Sequence, residues 1–127
     1  MHTMLDLDTF DQYVDEAVRG LPDVFRNRLH NVAIVVEEWP DRETMRTAGI
    51  RRPVDLLGFY HGVPLPTRTH GYNAVMPDKI SIYRSPILIH CRRSGENVRA
   101  MVHRVVRHEI AHYFGIGDDR LEELGAY

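Results

Sequence analysis

Two histidines and a glutamate near the end of the sequence have the spacing of a metal site. The segment reads His108-Glu109-Ile110-Ala111-His112. Residues four apart on a helix share a face, so both histidines can offer imidazole nitrogens to one cation. The glutamate lies about 100° around the helix from the first histidine, beside that cation, where it can accept a proton from a water molecule. The pattern therefore predicts a zinc site.

The residues after this segment add a turn and a third oxygen donor. Gly115 can leave the helix in a left-handed conformation that other residues resist, and Asp118 can then return to the metal. Asp119 competes for this position, but the register of the motif favours Asp118. Two imidazoles and a carboxylate, with a fourth position open, are typical of catalytic rather than structural zinc. We therefore predict one zinc ion with a general base beside it: ligands His108, His112 and Asp118, and base Glu109.

The extended motif H-E-x-x-H-x-x-G-x-x-D resembles the metzincin-like form of the zincin motif, with aspartate in place of the more usual third histidine. Further segments resemble a small bacterial family, the zincin-like minimal metallopeptidases, and the likeness covers roughly residues 8–125. The segments that carry it are Asn31–Glu38, Leu56–Leu65, Ile80–Leu88 and Gly117–Leu121. The resemblance implies an α+β, zincin-like fold, in which a small mixed β-sheet packs against helices, and a zinc peptidase site.

The methionines depart from the metzincin pattern. Metzincins have a methionine turn beneath the zinc, downstream of the motif. Here every methionine precedes the motif: Met1, Met4, Met45, Met76 and Met101. The hydrophobic floor of the site must therefore come from another part of the chain, or be absent.

Composition favours a single soluble domain over residues 1–127, with 43% hydrophobic and 27% charged residues. A net charge of -2 gives no general attraction to nucleic acid. No apolar run approaches the ~20 residues that cross a membrane. The single cysteine, Cys91, excludes an internal disulfide, and the first residues do not resemble a signal peptide. We expect a cytoplasmic protein whose partner is a peptide or protein substrate.

Apolar periodicity predicts the elements around the site. Helices are expected at 8–19 with Asp8 or Thr9 as cap, from Pro22 to Leu29, at 41–48, and at 96–114 with Ser94 as cap. Strands are expected at 32–39, 56–60, 80–83 and 86–91. The first strand is continuously apolar and is predicted to be central in the sheet. The last two are predicted to form a hairpin whose edge receives the substrate.

Residues 61–78 are rich in glycine and proline and are predicted to form a long loop. His61, His70 and Tyr72 lie in this loop and could contact a substrate, although surface positions are favoured for each. Along the last helix, Arg99, His103 and Arg107 form a basic stripe. A solvated face is favoured over a nucleic-acid contact there.

Two classes of function are consistent with the sequence. In the first, zinc and Glu109 together hydrolyse peptide bonds through an activated water molecule. In the second, the chain is a catalytically inactive binding module that keeps the zincin shape, with an empty or structural metal site. Zinc that is stoichiometric and removable by a chelator favours the enzyme.

Overall fold

The computed structural model of the chain describes residues 6–29, 32–62 and 78–116, and within them helices surround a small sheet. The helices are α1 (Leu7–Arg19), α2 (Asp23–Arg26), α3 (Arg42–Ala48), α4 (Arg84–Ser94) and α5 (Val98–Tyr113), with a 3-10 turn at Pro53–Asp55. The strands are β1 (Val32–Glu37), β2 (Gly58–His61) and β3 (Asp78–Tyr83). The predicted α+β class is confirmed.

The three described strands form one mixed sheet with β3 in the middle. β1 runs parallel to β3, with Val32 opposite Asp78, and β2 runs antiparallel to it, with Gly58 opposite Ile82. Alternate residues of a strand point to opposite faces. Ile80 and Ile82 therefore share one face of β3, and both are completely buried.

The core lies between this face of the sheet and the helices α1, α4 and α5. From α5, Val102 and Val106 are fully buried, and Phe10 of α1 is buried with them. Burying such a side chain stabilises the fold by about 1.5–3 kcal/mol. This packing holds α5 against the sheet along most of its length, and so fixes the position of the side chains that α5 carries.

Two helices begin at residues other than those predicted. α1 begins at Leu7 and is capped by Asp6, whose carboxylate accepts a hydrogen bond from the Thr9 amide at 2.8 Å. α5 is capped in the same way by Asn97. The predicted caps, Asp8 or Thr9 for α1 and Ser94 for α5, were wrong, because the cap is the residue whose side chain reaches an amide about three residues ahead.

The predicted strand at 86–91 was wrong, because α4 begins directly after β3 and runs from Arg84 to Ser94. Pro86 lies in the first turn of this helix, where its missing N–H leaves no intrahelical bond unmade. Ile87 and Cys91, four residues apart, are both buried. A short apolar run with proline at its start fits a strand or a helix, so local pattern could not decide between them.

The predicted central position of β1 was also wrong. β1 lies at one edge of the described sheet, and each of its residues is only half-buried. The central strand is β3, in which Ser81 and Tyr83 are buried as completely as the isoleucines. The expected substrate edge at 80–91 is therefore excluded, since both sides of β3 are already paired.

The basic stripe of α5 contacts another helix. Arg99 Nε lies 2.8 Å from Glu16 Oε1 of α1, and His103 Nε2 lies 3.3 Å from the same oxygen. The Arg99 guanidinium is the main reason that the pKa of Glu16 is lowered. Part of this stripe therefore pairs with α1 rather than facing only solvent.

Candidate metal centre

Helix α5 carries both histidines of the predicted site on consecutive turns. The ring centroids of His108 and His112 are 4.4 Å apart, and the ring planes are inclined at 69°. Both residues are half-buried, whereas Val106 and Ile110 on the same helix are buried in the core. The packing of α5 thus holds both imidazoles at the boundary between core and solvent.

Glu109 lies close to both histidines and completes a cluster of three potential metal ligands. One donor atom from each of His108, Glu109 and His112 lies within 4.8 Å of the others. Within the described part of the chain, no other group of three histidine, cysteine or acidic residues comes together in this way. Ligands of tetrahedral zinc lie about 2.1 Å from the ion and so about 3.4 Å from one another. Imidazole nitrogens and carboxylate oxygens suit this ion, so the residues present fit zinc.

The carboxylate of Glu109 is enclosed by protein. The residue is 7% exposed, and its Oε1 lies 3.3 Å from Nδ1 of His112. A carboxylate enclosed in this way is held in place, because burial leaves its side chain few alternative positions. Glu109 is therefore fixed next to the two imidazoles.

Gly58, the first residue of β2, packs directly on α5 at this point. A Cβ atom at Gly58 would lie 2.8 Å from Cγ1 of Val105 and 3.2 Å from Cγ of Glu109. Carbon atoms normally approach to about 3.5–4.0 Å. Glycine is thus what allows β2 to lie against the turn of α5 that carries Glu109.

The end of α5 has the predicted geometry. Gly115 has φ 73, the left-handed conformation that glycine adopts without strain. Its amide donates to the carbonyl of His112 at 3.0 Å, and the Ile116 amide donates to the carbonyl of Ala111 at 2.9 Å. This pair of bonds is the Schellman ending of a helix. Asp118 lies outside the described residues, so its role as third ligand stays a prediction.

A cleft runs beside the cluster, between α5 and β2, and has a volume of about 480 Å³. Its walls include the three clustered residues together with Gly58, Phe59 and Tyr60 of β2. Ile50 and Leu56 close it from the side of α3 and the 3-10 turn. The clustered donors therefore open into a space beside β2, which is an edge strand of the described sheet.

The sequence profile of a known family, described as zincin-like metallopeptidase, matches residues 29–126. This chain belongs to that family. The match includes β1, β2, β3 and the helix with the clustered histidines. No curated protein matches this zincin-like chain significantly.

A solved structure supports the fold of this zincin-like chain. It is a conserved hypothetical protein from Thermus thermophilus, with a TM-score of 0.57 and 22% sequence identity. The alignment covers 94% of this chain and 97% of the other. At this level of identity, the similarity shows the fold alone.

Among the described residues, no helix of this zincin-like chain is both long and apolar enough to span a membrane.

Sequence reasoning missed the role of Gly58 in this zincin-like site. Residues 56–60 were predicted as a strand, and the strand is found at Gly58–His61, but no site residue was expected there. A glycine inside a strand pattern often marks a close approach of two backbones, and this signal could have indicated Gly58. Its contact with Glu109, however, depends on residues 51 positions apart in the sequence.

His61 ends β2 rather than starting a loop, and it joins a hydrogen-bond chain across the sheet. Its Nε2 lies 3.0 Å from Oγ of Ser81, which donates to Oε2 of Glu37 at 2.7 Å. Nζ of Lys79 lies 3.1 Å from the same carboxylate oxygen. This chain of contacts links β2 to β3 and β1, on the face opposite α5. The other two loop residues of interest, His70 and Tyr72, lie outside the described residues.

Replacing His61 by glutamine is expected to reduce the loss of stability on acidification. Burial, followed by the nearby Lys79 ammonium, lowers the pKa of His61 below its usual 6.5, although Glu37, Asp41 and Glu109 oppose this. The unfolded chain therefore binds a proton at His61 more readily than the folded chain does. The contribution of His61 to the free energy of unfolding thus falls as pH drops below about 6.5. Urea unfolding of both proteins at pH 7.5 and 5.5 tests this. Equal losses in the wild type and His61→Gln would contradict it.

Proposed function

We propose that this chain is a zinc-dependent peptidase. The observation that carries the proposal is the cluster of His108, Glu109 and His112 donor atoms within 4.8 Å, open to a cleft beside β2. Membership of the zincin-like metallopeptidase family supports the same reaction. His108 and His112 would hold zinc through imidazole nitrogens, and Asp118 would hold it through an oxygen.

Zinc in this position would supply the positive charge that polarises a peptide carbonyl and makes a neighbouring water more acidic. Glu109 accepts the proton of the attacking water and later delivers it to the nitrogen of the leaving amine. Its enclosed position beside the imidazoles supports this role, since a base must be held at hydrogen-bond distance from the water it activates.

We propose that the peptide lies extended along β2. Within the described sheet, β2 pairs with β3 on one side only, so its other edge can bond to the main chain of a substrate. That edge borders the cleft, through Gly58, Phe59 and Tyr60. β2 takes the place of the 80–91 segment as the proposed substrate strand.

The same cluster favours one second candidate, a binding module with a structural metal. Glu109 is close enough to the histidines to be a ligand itself. If it occupied the metal, no base would remain and the chain would not hydrolyse peptides. Changing Glu109 to glutamine distinguishes the two candidates. Zinc binding is retained if Glu109 is the base of a peptidase, and it is lost if Glu109 is a metal ligand of a binding module.

Changing Asp118 to alanine is expected to weaken zinc binding by at least about 100-fold. Loss of groups that merely orient metal ligands already weakens metal binding by about 10–100-fold, and a direct ligand contributes more. Zinc titration with a competing chelator, after removal of bound metal, measures the change. Asp119→Ala is the matched control and is expected to bind zinc nearly as well as the wild type. Equal affinities for the two variants would contradict the ligand assignment.

The peptidase proposal itself is tested by hydrolysis of a quenched fluorescent peptide pool. The zinc-loaded protein is expected to cleave the pool, the chelator-treated protein is expected not to, and added zinc is expected to restore cleavage. A protein that binds one zinc per chain without cleaving any member of the pool would favour the binding module.

A further inference from the structure

A second depression lies next to the metal cluster, towards the amino-terminal half of α5. Gly58, His108 and Glu109 line both this depression and the larger cleft, so the two are adjacent. Its volume is about 300 Å³. The walls that belong to it alone are three apolar side chains and one cation: Leu57, Met101, Val105 and Arg104. We term it the Arg104 pocket.

Arg104 stands one helical turn before His108. Four residues of helix correspond to a rise of about 6 Å. The side chain of an aspartate or glutamate next to a bond that reacts at His108 spans a similar distance. A carboxylate on the substrate could thus reach Arg104 while the peptide keeps its main chain along β2.

Only part of the Arg104 guanidinium is engaged within the described structure. Its Nη2 contacts Glu96 and lies 3.4 Å from the sulfur of Met101. Within the described chain, Nη1 and Nε of Arg104 have no hydrogen-bond partner. The Arg104 side chain is 42% exposed, so a ligand in the pocket can approach it. Arginine presents its five donors in a planar fork that matches the two oxygens of a carboxylate.

We propose that the Arg104 pocket is a substrate subsite that binds a carboxylate of the peptide close to the reacting bond. This inference rests on the proposed peptidase function. Arg104 is its specificity-determining residue, and the stems of Leu57, Met101 and Val105 pack against the methylene groups of the bound side chain. The preferred substrates are therefore peptides that present a carboxylate at this position.

The carboxylate can come from two sources with the same chemistry. One is the side chain of a glutamate or aspartate within the peptide, and the other is the free carboxyl terminus of the chain that is cut. An internal acid would make the protein an endopeptidase that prefers acidic sites. A terminal carboxylate would make it a carboxypeptidase. Peptides with blocked and free ends distinguish these sources.

Binding rather than hydrolysis is the appropriate test, because it does not require the protein to be an active peptidase. The probes are dye-labelled heptapeptides with one central position between leucines, occupied by Glu, Gln or Lys, with amidated ends. A fourth probe is the Gln peptide with a free carboxyl terminus. Fluorescence anisotropy on Glu109→Gln, in zinc-loaded and metal-free forms, measures their dissociation constants. We expect the Glu peptide to bind about three- to tenfold more tightly than the Gln peptide, and the Lys peptide most weakly.

Two substitutions added to that protein should move this preference in opposite directions. Arg104→Met keeps an apolar stem but removes the charge, and is expected to abolish the difference between the Glu and Gln peptides. Glu96→Gln removes the acid that contacts Arg104, and is expected to increase the difference. Arg99→Met is the control, because it removes a positive charge from the same helix at a position paired with Glu16. It is expected to leave the difference between the Glu and Gln peptides unchanged. A purely structural role for Arg104 would change stability in these variants but not the preference.

Each outcome bears on the inference. A Glu preference that is lost in Arg104→Met and enhanced in Glu96→Gln supports an internal acid as ligand. Tighter binding of the free-ended Gln peptide, with the same response to both variants, supports the terminal carboxylate. The inference is wrong if no peptide binds at millimolar concentration, if neither carboxylate is preferred, or if the preference survives in Arg104→Met. If the carboxylate preference responds to the variants as expected but the protein cleaves no peptide, the subsite is supported and only the peptidase proposal is wrong.

Discussion

Changing Glu109 to glutamine is expected to lower kcat/KM for peptide hydrolysis by about 10²–10⁴-fold while zinc stays bound. Glutamine has nearly the same shape as glutamate, so the packing against Gly58 is retained. It cannot accept a proton, so the attacking water is no longer activated. The comparison uses initial rates on one quenched fluorescent peptide, with the zinc content of both proteins measured on the same samples.

The matched control is Glu43→Gln, the same chemical change at an exposed position of α3. It is expected to have wild-type rates. Two results would contradict the proposal in different ways. Wild-type hydrolysis by Glu109→Gln would exclude Glu109 as the base, whereas loss of zinc from this variant would favour Glu109 as a metal ligand in a binding module.

Changing Gly58 to alanine is expected to lower the rate of hydrolysis by about 100-fold and to destabilise the fold by about 1–3 kcal/mol. The new methyl group would lie 2.8 Å from Cγ1 of Val105 and 3.2 Å from Cγ of Glu109. Either β2 moves away from α5 or the catalytic side chain shifts. A displacement of about 1 Å is enough for a loss of this size. Hydrolysis rates and urea unfolding measure the two effects.

The assignment of this loss to steric contact can be checked by making room for the methyl group. Adding Val105→Ala to Gly58→Ala removes the closest atom, so the double variant is expected to be more active than Gly58→Ala alone. Gly20→Ala is the control, because Gly20 has φ -81 and lies outside the cleft. It is expected to retain wild-type hydrolysis. An active, stable Gly58→Ala protein would show that β2 does not need to lie this close to Glu109.

These predictions depend on a contact between two segments that are far apart in sequence. β2 brings a glycine to the helix that carries the clustered donors, together with a main-chain edge that no other described strand pairs with. The helix contributes the chemical groups, and the strand contributes the wall of the cleft. A change in either segment is therefore expected to affect the same reaction.

Several features could be predicted from the sequence because their causes are local. α3 and the glycine that follows it are confirmed, since the Asp41 carboxylate accepts from the Thr44 amide at 2.7 Å and Gly49 has φ 72. α5 is confirmed at Val98–Tyr113, because its apolar residues recur with helical spacing. Each of these signals lies within a few residues of the structure it determines.

Features that depend on partners in space were predicted less well. The segment after Tyr83 is a helix, although its apolar residues also fit a strand. The strand β1 is at an edge of the sheet that the described strands form, although its continuous apolar run suggested the centre. Such a run records that side chains are buried but not which element buries them, and here β3 rather than β1 is paired on both sides.

The sequence by itself determined the donors of the candidate site and their local geometry. His108 and His112 fall one turn apart, Glu109 lies beside them, and Gly115 ends the helix, because the helical period and the conformational freedom of glycine act over a few residues. The tertiary structure alone decided which strand faces those donors and that Gly58 lets this strand approach the helix closely. It also decided that Arg104 lines the pocket next to the donors. The reason is that strand order and the packing of a strand on a helix depend on contacts between distant segments, which no local pattern encodes.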